Sequence, residues 1–125
     1  MTATPRKPLI LVVDDQPQLL QLYSRVLEHA GYNAVLALTA RAALTLIQAT
    51  PPDAVLVDLN MPFINGMGLL YRLRELYPDL PAAVMTGDAS LNDETRNEIA
   101  SLHAALHFKP MSNAYLRHAA GNLLS

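Results

Sequence analysis

The chain has 125 residues and a formal net charge of −2 at pH 7, which fits one domain with a substantial apolar core. It has no cysteine, so disulfide bonds and thiolate metal sites are excluded. Its lysines and arginines are scattered, which argues against direct nucleic-acid binding, and no apolar run approaches the roughly 18 residues of a membrane span. Residues 1–8 predict a short polar tail without the apolar stretch of a signal peptide, so we expect a cytoplasmic location.

Five short apolar runs with helical patterns between them predict an alternating α/β fold. In chain order the runs are Leu9–Val13, Asn33–Ala37, Ala54–Val57, Ala82–Met85 and Ala105–Phe108. The first and third are the most continuously apolar, as expected for central strands that are covered on both faces. Strict alternation of strands and helices implies parallel strands joined by right-handed crossovers, with helices on both faces of the sheet.

The segments between the strands carry signals for the beginnings and ends of helices. The expected first residues or caps, in chain order, are Pro17, Thr39, Gly66, Ser90 and Ser112. Gly31 is typical of the position just after a helix and predicts the end of the first one. Ser90 followed by Asp93 resembles a capping box, which predicts that the fourth helix opens at Ser90.

Chemically complementary residues follow the predicted strands, at the sheet edge where such folds bind ligands. They are Asp14, Asp15, Asp58, Thr86 and Lys109. Three converging carboxylates repel one another unless a cation lies among them, and an all-oxygen ligand set suits Mg²⁺. The lysine and the threonine could then bind a phosphoryl group, which a carboxylate can accept as an acyl phosphate. Each residue taken alone could be a helix cap, a turn residue or an exposed charge, but together they favour phosphoryl chemistry.

The segments LILVVDD, VLVDLNMPFINGMGLL, AVMTGDAS and HFKP resemble the receiver domain of bacterial two-component response regulators. The resemblance extends from about Leu9 to the C-terminus and implies a receiver domain over residues 9–125. It implies a flavodoxin-like, doubly wound α/β fold, with a five-stranded parallel sheet in the order 2-1-3-4-5 and five helices.

The resemblance assigns roles to the residues at the strand ends. It implies that Asp58 accepts the phosphoryl group, that Lys109 pairs with the phosphoryl oxygens, and that the Thr86 hydroxyl turns toward them after transfer. It also implies bound Mg²⁺ (or Mn²⁺), with Asp14 acting mainly through water. The implied metal ligands are Asp14, Asp15, Asp58 and the backbone carbonyl of Asn60. The Lys109–Pro110 peptide bond resembles one that is cis in the family.

The implied function is that of a signalling phosphoacceptor rather than an enzyme. The phosphoryl donor would be a sensor histidine kinase or a histidine phosphotransfer protein. The fourth helix, fifth strand and fifth helix would form the output face, where an output domain, another partner or a second copy would bind.

Leu106 departs from the family pattern, because the position three residues before the lysine usually carries Tyr or Phe. That ring swings inward when the threonine moves, and leucine has neither the ring nor the hydroxyl. We therefore expect the output to depend on shifts of the backbone and the fourth helix; the alternative is that Leu106 is an ordinary core residue.

Two further positions differ from the family pattern near the expected site. Phe63 could contact a partner, shield the acyl phosphate or simply pack in the core. Asp88 and Asn60 occupy the positions that flank the hydrolytic water in the family. We predict that Asp88→Ala changes the lifetime of the phosphorylated form severalfold.

Other functions are less well supported by the sequence. An aspartyl-phosphate hydrolase of the dehalogenase-like type needs a second Asp two residues after the first, where this chain has Gln16 after Asp14-Asp15. A degenerate receiver that serves as an interaction scaffold would not need the complete acidic set. His103 and His107 straddle a helix end and a strand, so they are expected to be surface residues rather than zinc ligands.

Overall fold

The computed structural model describes residues 6–61 and 66–125, which alternate between strands and helices. The strands are β1 (Leu9–Val13), β2 (Asn33–Ala37), β3 (Ala54–Asp58), β4 (Ala82–Thr86) and β5 (Ala104–Phe108). The helices are α1 (Pro17–His29), α2 (Ala40–Ala49), α3 (Gly66–Leu76), α4 (Asp93–Ser101) and α5 (Asn113–Leu124). The strands form one sheet in the order β2-β1-β3-β4-β5, and every pairing is parallel, which confirms the expected fold.

Most helix ends follow the sequence signals. The Thr39 hydroxyl accepts from the backbone N–H of Ala42 at 3.0 Å and caps α2, and the Ser112 hydroxyl caps α5 by accepting from Tyr115. Gly31 follows α1 with φ of +98°, a conformation that favours glycine because it has no Cβ. These three predictions are confirmed.

The predicted capping box at Ser90 is wrong. The Asn92 side chain caps α4 by accepting from the backbone N–H of Thr95 at 2.8 Å. Ser90 instead donates its backbone N–H and its hydroxyl to the Asp88 carboxylate, at 2.9 and 2.7 Å. Because the carboxylate of Asp88 is a stronger acceptor than a neutral group, it draws Ser90 into the turn before the helix.

The core forms two apolar layers, one on each face of the sheet. One layer lies beneath α2, α3 and α4, and the other lies beneath α1 and α5. The residues of β3 and β4 are all buried, and β3 is the central strand, with β1 and β4 on either side of it. Because the strands are parallel, their carboxyl ends lie at the same edge of the sheet. None of the helices in the described ranges is long and apolar enough to cross a membrane.

Arg74 of α3 fixes the C-terminal end of α4. Its Nε donates to the carbonyl of Leu102 at 2.6 Å, and its Nη2 donates to the carbonyl of His103 at 3.3 Å. Its Nη1 also donates to the carbonyls of Tyr77 and Leu80, which lie in the connection to β4. One partly buried guanidinium therefore joins α3, the loop before β4 and the end of α4.

Candidate functional site

The register of the central strands brings two of the predicted carboxylates together. Val13, the last residue of β1, pairs with Val57, so Asp14 and Asp58 are the next residues on neighbouring strands. Asp14 is 0% exposed and Asp58 is 2% exposed. Asp58 is the last residue of β3 rather than the first residue after it, so the paired strand holds its backbone in place.

Asp15 completes a compact acidic cluster. Ligand oxygens of Asp14, Asp15 and Asp58 all lie within 4.8 Å of one another. The Asp14 Oδ1 accepts the backbone N–H of Gln16 at 3.0 Å, and the Asp58 Oδ1 accepts that of Asn60 at 3.1 Å. These two carboxylates are therefore held in place, whereas the half-buried Asp15 carboxylate accepts no hydrogen bond from any residue in the described ranges.

Lys109 provides the positive charge opposite the cluster. Its Nζ lies 3.0 Å from the Asp14 Oδ2 and 3.4 Å from the Asp58 Oδ2. Its backbone N–H donates to the carbonyl of Thr86 at 2.8 Å, which holds the end of β5 beside β4. The Lys109–Pro110 peptide bond is cis, as the family resemblance implied.

Burial and charge shift the ionisation of both partners. Burial raises the pKa of the Asp58 carboxyl, and this outweighs the Asn60 N–H and Lys109, which act in the opposite direction, while Asp14 adds to the increase. Burial tends to lower the pKa of Lys109, but its hydrogen bond to Asp14 and the charges of Asp14 and Asp58 raise it overall. Lys109 therefore remains a cation at neutral pH.

The donor set fits a hard divalent cation. With all three carboxylates ionised, the single Lys109 ammonium leaves the cluster with two negative charges in excess. The cluster contains only oxygen ligands, which suits Mg²⁺ or Mn²⁺ better than metals that prefer nitrogen or sulfur. A divalent cation would balance this excess charge.

Thr86 lies at the same edge of the sheet, but its hydroxyl is hydrogen-bonded to groups other than Asp58. The side chain is 0% exposed, and its Oγ1 accepts the Asn60 Nδ2 at 3.1 Å and the backbone N–H of Asp88 at 3.0 Å. No hydrogen bond joins Thr86 to Asp58, both of which the structure describes. The contact between the Asn60 side chain and Thr86 was not predicted, because Asn60 was expected to act through its backbone carbonyl and beside the hydrolytic water.

Two other residues support the site through their packing. Tyr23 of α1 is only 4% exposed and lies near enough to Lys109, Asp14 and Asp58 for their charges to affect its pKa, which burial raises. Gly66 begins α3 against β3, and a Cβ there would lie 2.3 Å from the backbone oxygen of Asp58. The amphipathic helix pattern explains the burial of Tyr23, but no local signal reveals its proximity to the site.

The remaining predicted positions have different outcomes. The expectation for Phe63 falls on residues 62–65, outside the described residues. Leu106 is partly buried and packs against the apolar layer beneath α2, α3 and α4. His103 is exposed, but the expectation that His107 is a surface residue is wrong, because its ring is partly buried and its Nδ1 lies 2.8 Å from the Tyr115 hydroxyl.

Comparison with known proteins agrees with this geometry. The chain matches the family model of the response regulator receiver domain over residues 10–120. It is 34% identical over 86 residues to the transcriptional regulatory protein PrrA of Mycobacterium leprae, a match that covers 69% of this chain and 37% of PrrA. It is 29% identical over 120 residues to the autoinducer 1 sensor kinase/phosphatase LuxN of Vibrio campbellii, covering 96% of this chain and 14% of LuxN.

A solved structure extends the similarity to the whole fold. The chemotaxis protein CheY4 of Vibrio cholerae superposes with a TM-score of 0.87 at 26% sequence identity, covering 95% of this chain and 100% of CheY4. The chain thus spans little more than a third of the length of PrrA and the full length of the CheY4 structure.

Proposed function

Because this chain belongs to the response regulator receiver domain family, we propose that it is the phosphoacceptor of a two-component phosphorelay. Asp58 accepts the phosphoryl group in a Mg²⁺-dependent transfer, and the domain then shifts between an inactive and an active conformation. The observation that carries this proposal is the buried Asp58 carboxylate, which lies within 4.8 Å of two other carboxylates and 3.4 Å from the Lys109 ammonium.

The metal ligands in this proposal are Asp15, Asp58 and the backbone carbonyl of Asn60, with Asp14 acting mainly through water. The contacts of Lys109 support this division, because its Nζ lies 3.0 Å from the Asp14 Oδ2 but 3.4 Å from the Asp58 Oδ2, and the other Asp14 oxygen accepts the backbone N–H of Gln16. The Asp15 carboxylate has no hydrogen-bond partner among the described residues and is available as a direct ligand. When bound, Mg²⁺ (or Mn²⁺) would neutralise charge on the incoming phosphoryl oxygens.

The donor is a phosphohistidine on a sensor histidine kinase or on a histidine phosphotransfer protein. A carboxylate oxygen of Asp58 attacks phosphorus, the phosphorus–nitrogen bond breaks, and the imidazole leaves with the electron pair of that bond. Lys109 binds the phosphoryl oxygens during transfer, as its contacts with two site carboxylates place it to do. Attack by water later releases inorganic phosphate and restores Asp58, so the chain assists its own phosphorylation and dephosphorylation without acting on an external substrate.

The signal then passes from the site to the surface. The new charge on Asp58 draws the Thr86 hydroxyl toward the phosphoryl oxygens, and the loop after β4 follows. We assign the output face to α4, β5 and α5, where an output domain, another partner or a second copy binds. We place this switching in the cytoplasm, with no direct contact to nucleic acid or membrane.

Beryllofluoride, a mimic of the phosphoryl group, tests the proposal in the presence of Mg²⁺. It should shift the amide resonances of residues around Asp58 and Thr86, and Asp58→Asn should abolish the effect. Acetyl phosphate with Mg²⁺ should add one phosphoryl group to the wild type and none to the variant, as read by intact mass. A chain that serves only as a scaffold would respond to neither reagent, and a hydrolase would turn over external phosphoesters; either result would refute the proposal.

A further inference from the structure

We propose that the Asn60 side chain is a positioning residue, which holds the Thr86 hydroxyl away from Asp58 until Asp58 is phosphorylated. This inference rests on the proposed function and adds a specific restraint to it. The side-chain amide would then help to set the balance between the inactive and active conformations, in addition to the role of the Asn60 backbone carbonyl as a metal ligand.

The contact joins two neighbouring strands at their carboxyl ends. Asn60 follows β3, Thr86 ends β4, and the register pairs Asp58 with Met85. The Asn60 Nδ2 lies 3.1 Å from the Thr86 Oγ1, within the normal range for a hydrogen bond. Among the described residues, no other side chain hydrogen-bonds to the Thr86 hydroxyl; its remaining partner is the backbone N–H of Asp88, two residues further along the same loop.

The hydrogen-bonding capacity of the hydroxyl explains why this contact restrains it. A threonine hydroxyl accepts two hydrogen bonds and donates one. The amide of Asn60 and the N–H of Asp88 occupy both acceptor positions and so fix where the oxygen lies. Turning the hydroxyl toward a phosphoryl group on Asp58 rotates the Thr86 side chain and carries its oxygen away from the amide of Asn60, which lies after β3 and does not rotate with it.

Asn60 also contacts the group that becomes phosphorylated. Its backbone N–H donates to the Asp58 Oδ1 at 3.1 Å, so one residue touches both Asp58 and Thr86. Phosphorylation removes the negative charge from the carboxyl group and places charge on the phosphoryl oxygens. Hydrogen bonds to charged acceptors are stronger than bonds to neutral ones, so the Thr86 hydroxyl gains a better partner in the phosphoryl group than it has in the neutral amide of Asn60.

Asn60→Leu tests the restraint, because it keeps the approximate shape of the side chain and the backbone carbonyl but removes the donor. Asn60→Ala is a second variant that guards against an effect of leucine itself. Asn97→Ala is the matched control, since Asn97 is exposed on α4 and makes no side-chain hydrogen bond among the described residues. The three-bond couplings from the Thr86 methyl carbon to its own backbone nitrogen and carbonyl carbon report the rotamer populations without any ligand.

Both Asn60 variants should at least double the population of the minor Thr86 rotamer, and Asn97→Ala should leave it unchanged. Beryllofluoride with Mg²⁺ should bind about two- to tenfold more tightly to both variants than to the wild type, because one neutral hydrogen bond no longer opposes the change. Affinity for Mg²⁺ alone should stay within about twofold, because the variants keep the backbone ligand.

Unchanged Thr86 couplings in both Asn60 variants would overturn the proposal, whatever beryllofluoride does. Changed couplings without tighter beryllofluoride binding would also overturn it, since the bond would then not oppose activation. A wild type that ignores beryllofluoride would instead refute the proposed function, and the couplings would still decide whether Asn60 restrains Thr86.

Discussion

Replacement of Lys109 by methionine should destabilise the protein in the absence of divalent cations. The Lys109 Nζ lies 3.0 Å from Asp14 and 3.4 Å from Asp58, and its side chain is 16% exposed. With an effective dielectric constant of about 20, Coulomb's law gives roughly 5 kcal/mol for each contact, before the cost of burying the charges. Removing one partner of a buried ion pair typically costs about 3–5 kcal/mol. Because some water reaches Lys109, we expect a loss of about 3 kcal/mol in the free energy of unfolding.

Urea unfolding followed by circular dichroism measures this loss, first with EDTA and then with saturating Mg²⁺. Methionine keeps much of the apolar stem of lysine, so the change chiefly removes the ammonium. Mg²⁺ replaces the missing positive charge, and the difference between variant and wild type should fall below about 1 kcal/mol. Lys7→Met is the control, because Lys7 is exposed and forms no ion pair among the described residues; its effect should stay within about 0.5 kcal/mol.

The same variant should show a defined dependence on pH. Burial already raises the pKa of Asp58, and Lys109 is one of the groups that lower it, so the variant should have a still higher pKa at this carboxyl. An acid whose pKa is raised by folding destabilises the folded state progressively as pH rises from its ordinary pKa to its folded pKa. The loss should therefore grow as pH rises from about 4 toward neutrality.

Two results would refute this reasoning about Lys109. A loss below about 1 kcal/mol at pH 7 with EDTA would show that the ammonium does not balance the carboxylates. An equal loss with and without Mg²⁺ would show that the methionine disturbs packing rather than charge.

Three other substitutions test other parts of the structure by urea unfolding. Gly66→Ala should lower the free energy of unfolding by more than about 2 kcal/mol and weaken Mg²⁺ binding, because the added Cβ would lie 2.3 Å from the backbone oxygen of Asp58. Gly121→Ala is the control, since its added Cβ would have its nearest contact at 3.7 Å, and it should be neutral or stabilising. Arg74→Met should cost about 2–3 kcal/mol because it removes the guanidinium donor from four carbonyls, of which, among the described residues, only that of Tyr77 keeps a second hydrogen bond outside the strands and helices, from the backbone N–H of Leu80. Arg72→Met, on the exposed face, should cost less than about 0.5 kcal/mol. Leu106→Ala should cost about 2 kcal/mol as a partly buried core residue and leave phosphorylation by acetyl phosphate intact; loss of phosphorylation would contradict this role.

The fold could be predicted from the sequence because its main signals are local. Continuous apolar runs mark strands that are buried on both faces. Gly31 marks the end of α1 through its backbone conformation, and Thr39 marks the beginning of α2 through its capping hydrogen bond. The end of α4 shows the limit of such signals. His103 adopts φ of +55°, a conformation that usually favours glycine, and Arg74 from another helix donates to its carbonyl. A contact from a distant element cannot be read from the local sequence.

The candidate site was predictable in its membership but not in its detailed contacts. The parallel sheet brings the ends of β3 and β5 to the same edge, so the positions of Asp58 and Lys109 after predicted strands predicted that they lie close together. The contact between Asn60 and Thr86 depends on a side-chain rotamer and on the relative position of two loops, and the periodicity of apolar residues encodes neither. The Ser90 prediction failed for a similar reason, because the competing acceptor, Asp88, could be identified only from the shape of the turn.

The contacts of Arg74 leave the two ends of α4 under different constraints. The C-terminal end is fixed to α3, whereas the N-terminal end follows the loop that carries Thr86 and Asp88. A nine-residue helix is about 13 Å long, so a tilt of about 10° about the fixed end would move the other end by roughly 2 Å. Movement of Thr86 should therefore tilt α4 about its C-terminal end, so that the displacement is largest at Asn92 and smallest beside Leu102.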